Sequence, residues 1–183
     1  STLFPYTTLF RSVDIAVLRY LTAEYEVHWY PVYYTDRPIY YTPEQMAAYA
    51  REYGIAFHPC PRMYRQRDPR NYRVYSRMVR EINASKTDMV YSCISDELYW
   101  TLAAFRLRAT RVLGLHDVQM HHFGAPLKRF VQTCIRELTI RTARHVCVFS
   151  GNQADLFRRR YGRSATVLGL SCRDLGPLTS APP

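Results

Sequence analysis

The stretch HVCVFSGNQADLFRRRYG, His145 to Gly162, reads as a strand, a helix cap, a helix and a helix end in direct succession. His145 to Phe149 is short and apolar, with β-branched and aromatic residues that suit a buried strand. Ser150 stands at the cap position. Its hydroxyl can accept from the backbone N–H of Gln153, which an uncapped helix would leave unsatisfied. The helix then runs to Tyr161. Parallel strands need a crossover, usually a helix, so one such unit already points to a parallel sheet.

Working outward, the alternation repeats. On the carboxyl side, Ala165 to Leu170 is a further strand and GPLTSAPP is linker-like. On the amino side, Pro126 to Ala143 is a helix and Arg111 to Leu115 a strand ending in His116-Asp117. Before these come a helix capped by Asp96 and running through Leu107, a strand from Asp88 to Ile94, and a helix from Asn71 to Ala84. The segment from Pro59 to Pro69 is a basic loop, and Ile55 to His58 is a short strand. Pro43 to Tyr53 is a helix with Thr42 as cap, Pro43 at its first position and Gly54 as its stop. Glu26 to Tyr34 is a strand, and Val13 to Glu24 a helix with Ile15, Leu18 and Leu21 on one face.

Helices alternating with short apolar strands predict an α/β fold: a Rossmann-like, doubly wound parallel sheet with helices on both faces. The first strand of such a sheet sits near its centre. From Val13 the chain enters on a helix, so that strand and its loop are expected to be missing.

Composition narrows the class. The chain has 183 residues, enough for one domain with a real core. Hydrophobic residues make up 48% and charged residues 22%, a globular rather than disordered balance. Net charge is +10, and all but Lys86 and Lys128 of the 25 basic residues are arginine. Arginine makes planar, bidentate contacts with phosphate and carboxylate, so phosphorylated ligands, an anionic membrane surface or nucleic acid are the partner classes suggested. The five cysteines form no Cys-x-x-Cys pair and are odd in number, which argues against a disulfide framework. Cys93 and Cys147, in apolar strands, read as buried free thiols. No apolar run is long enough to span a membrane.

Ligands of open α/β sheets bind beyond the carboxyl ends of the strands. Three stretches fall there: GLHDVQMHHFG, Gly114 to Gly124; VFSGNQ, Val148 to Gln153; and SCISDEL, Ser92 to Leu98. His116 can hydrogen-bond a hydroxyl or a phosphate oxygen, with Asp117 beside it to accept one ring N–H. Asp117 could equally serve only its own turn. Ser150 and Gly151 open a helix whose N-terminus can hold an anion, and capping alone would also account for Ser150. Glu97 reads as a solvated first-turn carboxylate before an acid or base. His116, His121 and His122 have no carboxylate, helical or Cys-x-x-Cys frame, so no metal is expected. Dinucleotide-binding, P-loop and nucleophile-elbow motifs do not occur. The segments PRMYRQRDPRNYRVYSR and FRRRYGR interleave arginine with aromatics, as nucleic-acid surfaces do, without matching any such module.

Four segments together resemble the N-terminal half of a family 4 glycosyltransferase of the GT-B fold. AVLRYLTAEYEVHWYPV resembles that family's helix ending in G-H-E-V and the strand after it. KTDMVYSCIS resembles its P-D-hydrophobic-V-H strand, and RVLGLHDVQ its hydrophobic strand closed by H-D. RTARHVCVFSGNQADLFRRRYG resembles its A-D-strand-S element and following helix. The order and spacing agree from Val13 to about Leu170. The family's Gly-rich loop after the first strand is absent, Glu24-Tyr25 stand in place of its Arg-Gly, and the C-terminal donor domain is absent.

The resemblance implies an enzyme of the hexosyltransferase type, as in polysaccharide biosynthesis. It would move a sugar from a nucleotide-sugar donor to a saccharide or lipid-linked acceptor with retention of configuration. This half would bind mainly the acceptor, so the fragment alone is expected to be inactive. His116 would be the catalytic residue, touching the reacting sugar or diphosphate. Asp117 would orient its loop, and Ser150 and Gly151 would line the cleft. The nucleotide sugar is a co-substrate, and no cofactor or metal is expected. The implied location is cytoplasmic, at most peripheral at the inner face of the membrane; composition alone makes the basic loop Arg62 to Arg73 and the aromatic segment Tyr30 to Tyr41 candidates for facing an anionic membrane or a lipid-linked acceptor. The alternative is a non-enzymatic, basic Rossmann-like domain that binds nucleic acid or another polyanion.

Residues 2–12, TLFPYTTLFRS, resemble the translation of a short-read sequencing adapter. Residues 1–12 are therefore expected not to belong to the fold, either packing loosely or mimicking the missing strand without a functional loop, with the domain at 13–170 and a linker or truncated tail at 171–183. Thr, Phe and Tyr do favour strands, so a genuine β-prone segment is the competing reading.

Overall fold

In a computed structural model of the chain, residues 2–5, 21–36, 42–59, 63–93, 97–119 and 126–168 are described. The strands are β1 (Thr2–Pro5), β2 (Val27–Tyr30), β3 (Ala56–Phe57), β4 (Met89–Ser92), β5 (Thr110–Leu115), β6 (His145–Val148) and β7 (Thr166–Val167). The helices are α1 (Pro43–Glu52), α2 (Asn71–Ala84), α3 (Leu98–Ala104), α4 (Pro126–Thr142) and α5 (Gly151–Tyr161). The strands form one sheet in the order β3-β2-β1-β4-β5-β6-β7, and every pairing is parallel. The fold is α/β and Rossmann-like, as expected.

Alternation along the strands builds two cores. Val27, Trp29, Tyr91, Val112 and Cys147 face one way and pack with Met46 and Ala50 of α1. Tyr30 and Val90 face the other way, against Tyr75, Met78, Val79 and Ile82 of α2 and Trp100, Ala103 and Ala104 of α3. On that same side Leu113, Leu115, Val146 and Val148 meet Ile140 of α4 and Phe157 of α5. The connection from β2 outward to β3 thus lies on one face, and those running the opposite way lie on the other. A single crossover hand produces this arrangement.

The strand order reverses between β1 and β4, which makes their carboxyl ends the switch point where such sheets open a crevice. Ser92 ends β4 there. Residues 6–20 and 94–96, which follow the two strands, lie outside the described residues.

The central slot left empty by the sequence reading is filled. Thr2–Pro5 pairs with β2 over its whole length, and Thr2 and Leu3 pair with Met89 and Val90 of β4. The expectation that residues 1–12 stand outside the fold is therefore corrected for these four, which pair as the missing strand would, the second of the two outcomes expected for them. Parallel pairing uses backbone N–H and C=O groups and is indifferent to much of the side-chain sequence, so a β-prone segment can occupy the slot whatever its origin.

Local signals account for the helix ends. Thr42 accepts from Gln45 N at 3.3 Å while its own N–H donates to Gln45 Oε1 at 2.8 Å, a capping box ahead of Pro43. Gly54 adopts φ +66°, which glycine tolerates. Two expectations shift. The strand predicted over Glu26 to Tyr34 stops at Tyr30, because Pro31 has no N–H for the ladder. The helix expected to be capped by Asp96 begins at Leu98, and Glu97 is its cap, accepting from Tyr99 N at 3.3 Å. Of the predicted helix Val13 to Glu24 only the final turn is described; Glu24 N and Tyr25 N both donate to Leu21 O. The tail at 171–183 is outside the described residues. Among the described residues no helix is long and apolar enough to cross a membrane.

Candidate functional site

The adjacent strands β5 and β6 end side by side, with Leu115 in register with Val148. That register carries His116 and Phe149 one step further together. Their rings stack, with centroids 4.7 Å apart and planes inclined by 21°. Both are half-buried. Stacking engages the faces of the imidazole, whereas hydrogen bonding uses the nitrogens at its edge, so the two do not compete.

Asp117 acts on the loop. Its Oδ1 accepts from Gln119 N at 2.8 Å, closing a side-chain turn, and from Gln153 Nε2 at 3.3 Å. Gln153 also accepts from Val118 N at 2.7 Å through Oε1. One amide on α5 thereby ties the loop after β5 to the loop after β6. Behind it, Arg136 of α4 is buried and donates from Nη2 to the carbonyl oxygen of Asp117. A guanidinium set against that carbonyl holds the turn from beneath.

Ser150 is the cap of α5. Its backbone is extended and its Oγ accepts from Gln153 N at 3.3 Å. Ser150 and Gly151 are both exposed, and a Cβ on Gly151 would meet nothing within 4 Å. The N-terminus of α5 therefore opens to solvent beside the stacked pair. The four residues singled out from sequence, His116, Asp117, Ser150 and Gly151, fall on two neighbouring strand-end loops joined through Gln153.

Sequence reasoning missed Phe149, Gln153 and Arg136. Arg136 was readable in principle: it occupies the inward stripe of α4 with Thr139 and Ile140, all buried, where a charged residue is out of place. Glu97 was read as solvated and is 3% exposed. Its carbonyl accepts from Thr101 N and Thr101 Oγ1, and Thr101 Oγ1 lies 2.7 Å from Thr139 Oγ1 on α4. The cap is thus buried rather than on the surface.

The aromatic segment proposed to face a membrane or a lipid-linked acceptor is corrected at three residues. Tyr30, Val32 and Tyr34 are 4%, 0% and 4% exposed and belong to the core, while residues 37–41 lie outside the described residues. Arg65, Arg67, Arg70 and Arg73 of the basic loop are exposed, and Met63 anchors that loop at 2% exposure. Of the thiols described, Cys147 is buried, Cys93 half-buried and Cys134 exposed. Burial pushes the Cys147 thiol above its usual range. Among the described residues no cluster of three or more His, Cys, Asp or Glu could hold a metal ion; His121 and His122 lie outside them. No protein-family model matches the chain, and no curated protein matches it.

Proposed function

We propose that this domain is the acceptor side of a retaining glycosyltransferase, which moves a sugar from a nucleotide-sugar donor to a saccharide or lipid-linked acceptor. The observation that carries the reading is the His116–Phe149 stack at the paired ends of β5 and β6, locked to α5 through Gln153. It supplies a hydrogen-bonding ring in a fixed plane beside an open helix N-terminus. Sugar hydroxyls suit the imidazole edge, and the negative charge that develops on a leaving diphosphate suits an exposed helix N-terminus. In this reading His116 touches the reacting sugar or diphosphate, Asp117 shapes the loop, and Ser150 and Gly151 line the cleft. Most donor contacts fall to a second domain, so the 183-residue chain binds acceptor without turning it over.

The test is a titration of the isotopically labelled chain with oligosaccharides and nucleotide sugars. Shifts confined to 116–119 and 149–153 are expected. His116→Ala, with folding checked by thermal melt, should weaken binding about tenfold or more, the size of one lost hydrogen bond near a charged group, and His116→Gln less. The exposed arginines of the basic loop and of α5, Arg158 and Arg159, favour the second reading, a polyanion-binding domain. A chain that ignores every saccharide and binds single-stranded nucleic acid through those arginines would replace the first reading by the second.

A further inference from the structure

We propose that the opposite end of the sheet carries a separate anion site for the phosphate group of a small phosphorylated ligand. A cavity of about 420 Å³ lies between the last turns of α2 and the turn leading into β5, lined by Val79, Arg80, Asn83, Ala84, Arg106 and Arg108. Three arginines line this one concavity.

The turn is fixed. Asn83 Nδ2 donates to Arg106 O at 2.9 Å, and Arg108 N donates to Asn83 Oδ1 at 2.9 Å. Arg106 N and Leu107 N donate to the carbonyls of Ala103 and Ala104. Val79 is 1% exposed, so the wall behind the arginines belongs to the core. A single amide clamps the turn to α2 and brings Arg106 and Arg108 to the same rim as Arg80.

The charges are uncompensated. Elsewhere arginines with a structural role have partners: Arg70 pairs with Asp68, Arg160 with Glu137, and Arg163 donates to the carbonyls of Ile140, Ala143 and Arg144. Among the described residues the side chains of Arg80, Arg106 and Arg108 have no hydrogen-bond or ion-pair partner. The carboxyl end of α2 offers roughly half a negative charge, too little to balance three cations. Like charges gathered in a concavity repel one another, and an anion seated among them removes that cost. The planar fork of arginine matches phosphate oxygens two at a time. The volume falls in the lower range of small-molecule sites, which suits a phosphate with a small body attached.

This site is independent of the proposed sugar-transfer cleft. It adjoins the start of β5, whereas His116 follows the end of that strand, on the order of 20 Å away at about 3.3 Å per residue.

The experiment is calorimetric titration of the 183-residue chain with inorganic phosphate and with pyrophosphate. A parallel co-sedimentation uses phosphatidylcholine vesicles with and without phosphatidic acid. Saturable one-site binding of pyrophosphate is expected. Arg106→Ala and Arg108→Ala should each weaken it about tenfold, and Arg106→Lys by a smaller factor because it keeps the charge without the fork. Arg159→Ala, on α5, should leave it unchanged. Binding of pyrophosphate without vesicle binding identifies a soluble phosphorylated ligand. Sedimentation with phosphatidic acid vesicles that Arg106→Ala abolishes identifies a lipid phosphate headgroup. Absence of binding in both arms overturns the site, as does an equal loss in Arg159→Ala and Arg106→Ala, which would leave only general surface charge. All four variants alter exposed residues, and a thermal melt confirms that they fold.

Discussion

Gly114 on β5 shows how much one absent methyl group permits. A Cβ there would stand 2.7 Å from Tyr91 Cζ and 2.9 Å from Cys93 Sγ, and closer still to the Tyr91 hydroxyl. Tyr91 is 4% exposed and fixed by the core around Trp29 and Met46, so it cannot swing aside cheaply. Gly114→Ala should therefore destabilise the domain by about 1–3 kcal/mol, the usual cost of overpacking, seen as a lower urea midpoint with an unchanged slope. Adding Tyr91→Leu should return part of the loss. An unchanged midpoint for the single variant would mean that the sheet relaxes around the methyl. The glycine was visible in RVLGLHDVQ, but its reason lies on β4, because cross-strand neighbours follow from register and not from sequence distance. Ser150 is the contrary case. Its partner Gln153 lies three residues away, so the cap could be read directly.

At the scale of elements, the β2–β3 edge carries a titratable chain. Glu26 Oε1 lies 3.1 Å from His28 Nε2, and His28 Nδ1 lies 2.9 Å from His58 Nε2. The His58 ring also stacks on Tyr30, with centroids 3.9 Å apart. Burial first, and the neighbouring His28 second, hold the His58 imidazole below its ordinary value of 6.5. The folded state therefore binds fewer protons at His58 than the unfolded chain does in the window just below that value. The stabilising effect of a neutral His58 is present above pH 6.5 and is lost as pH falls through the folded value. Melting temperature should fall on acidification from about pH 7 to about pH 5, and His58→Gln should flatten that part of the profile. Identical profiles for the two proteins would remove His58 as the cause. Burial also raises the Tyr30 hydroxyl to about 12, so Tyr30 stays neutral throughout this range.

For the whole molecule the question is the central strand. Thr2–Pro5 bridges β2 on one side and β4 on the other. Without it the sheet divides into a β3-β2 pair and a β4-β5-β6-β7 group, each with a bare edge. A chain lacking residues 1–12 loses several ladder hydrogen bonds at about 1 kcal/mol each, against a total stability of about 5–15 kcal/mol for an ordinary domain. It also gains two edges that recruit other chains. Such a deletion should broaden or abolish the cooperative melt and promote aggregation at micromolar concentration, measured by circular dichroism and light scattering. An equally sharp melt at the same temperature would mean that the sheet does not depend on these residues.

Local rules determined the elements. Asn71 to Ala84 was delimited by its pattern alone, Pro43 by its place after Thr42, and α5 by its cap and its Tyr-Gly end. Each needs partners within one helical turn, so sequence carries the information. The α/β class followed, because alternating helices and apolar strands leave few ways to bury both. The strand-end positions of His116, Asp117, Ser150 and Gly151 were legible for the same reason. Tertiary structure alone decided what meets across distance. It set Phe149 against His116, routed Gln153 of α5 to the loop after β5, placed Arg136 beneath Asp117, and brought Arg80 to the rim of Arg106 and Arg108. It also drew Thr2–Pro5 into the centre of the sheet. Parallel pairing joins residues far apart in the chain through backbone groups that all sequences share, and a linear pattern holds no record of that choice.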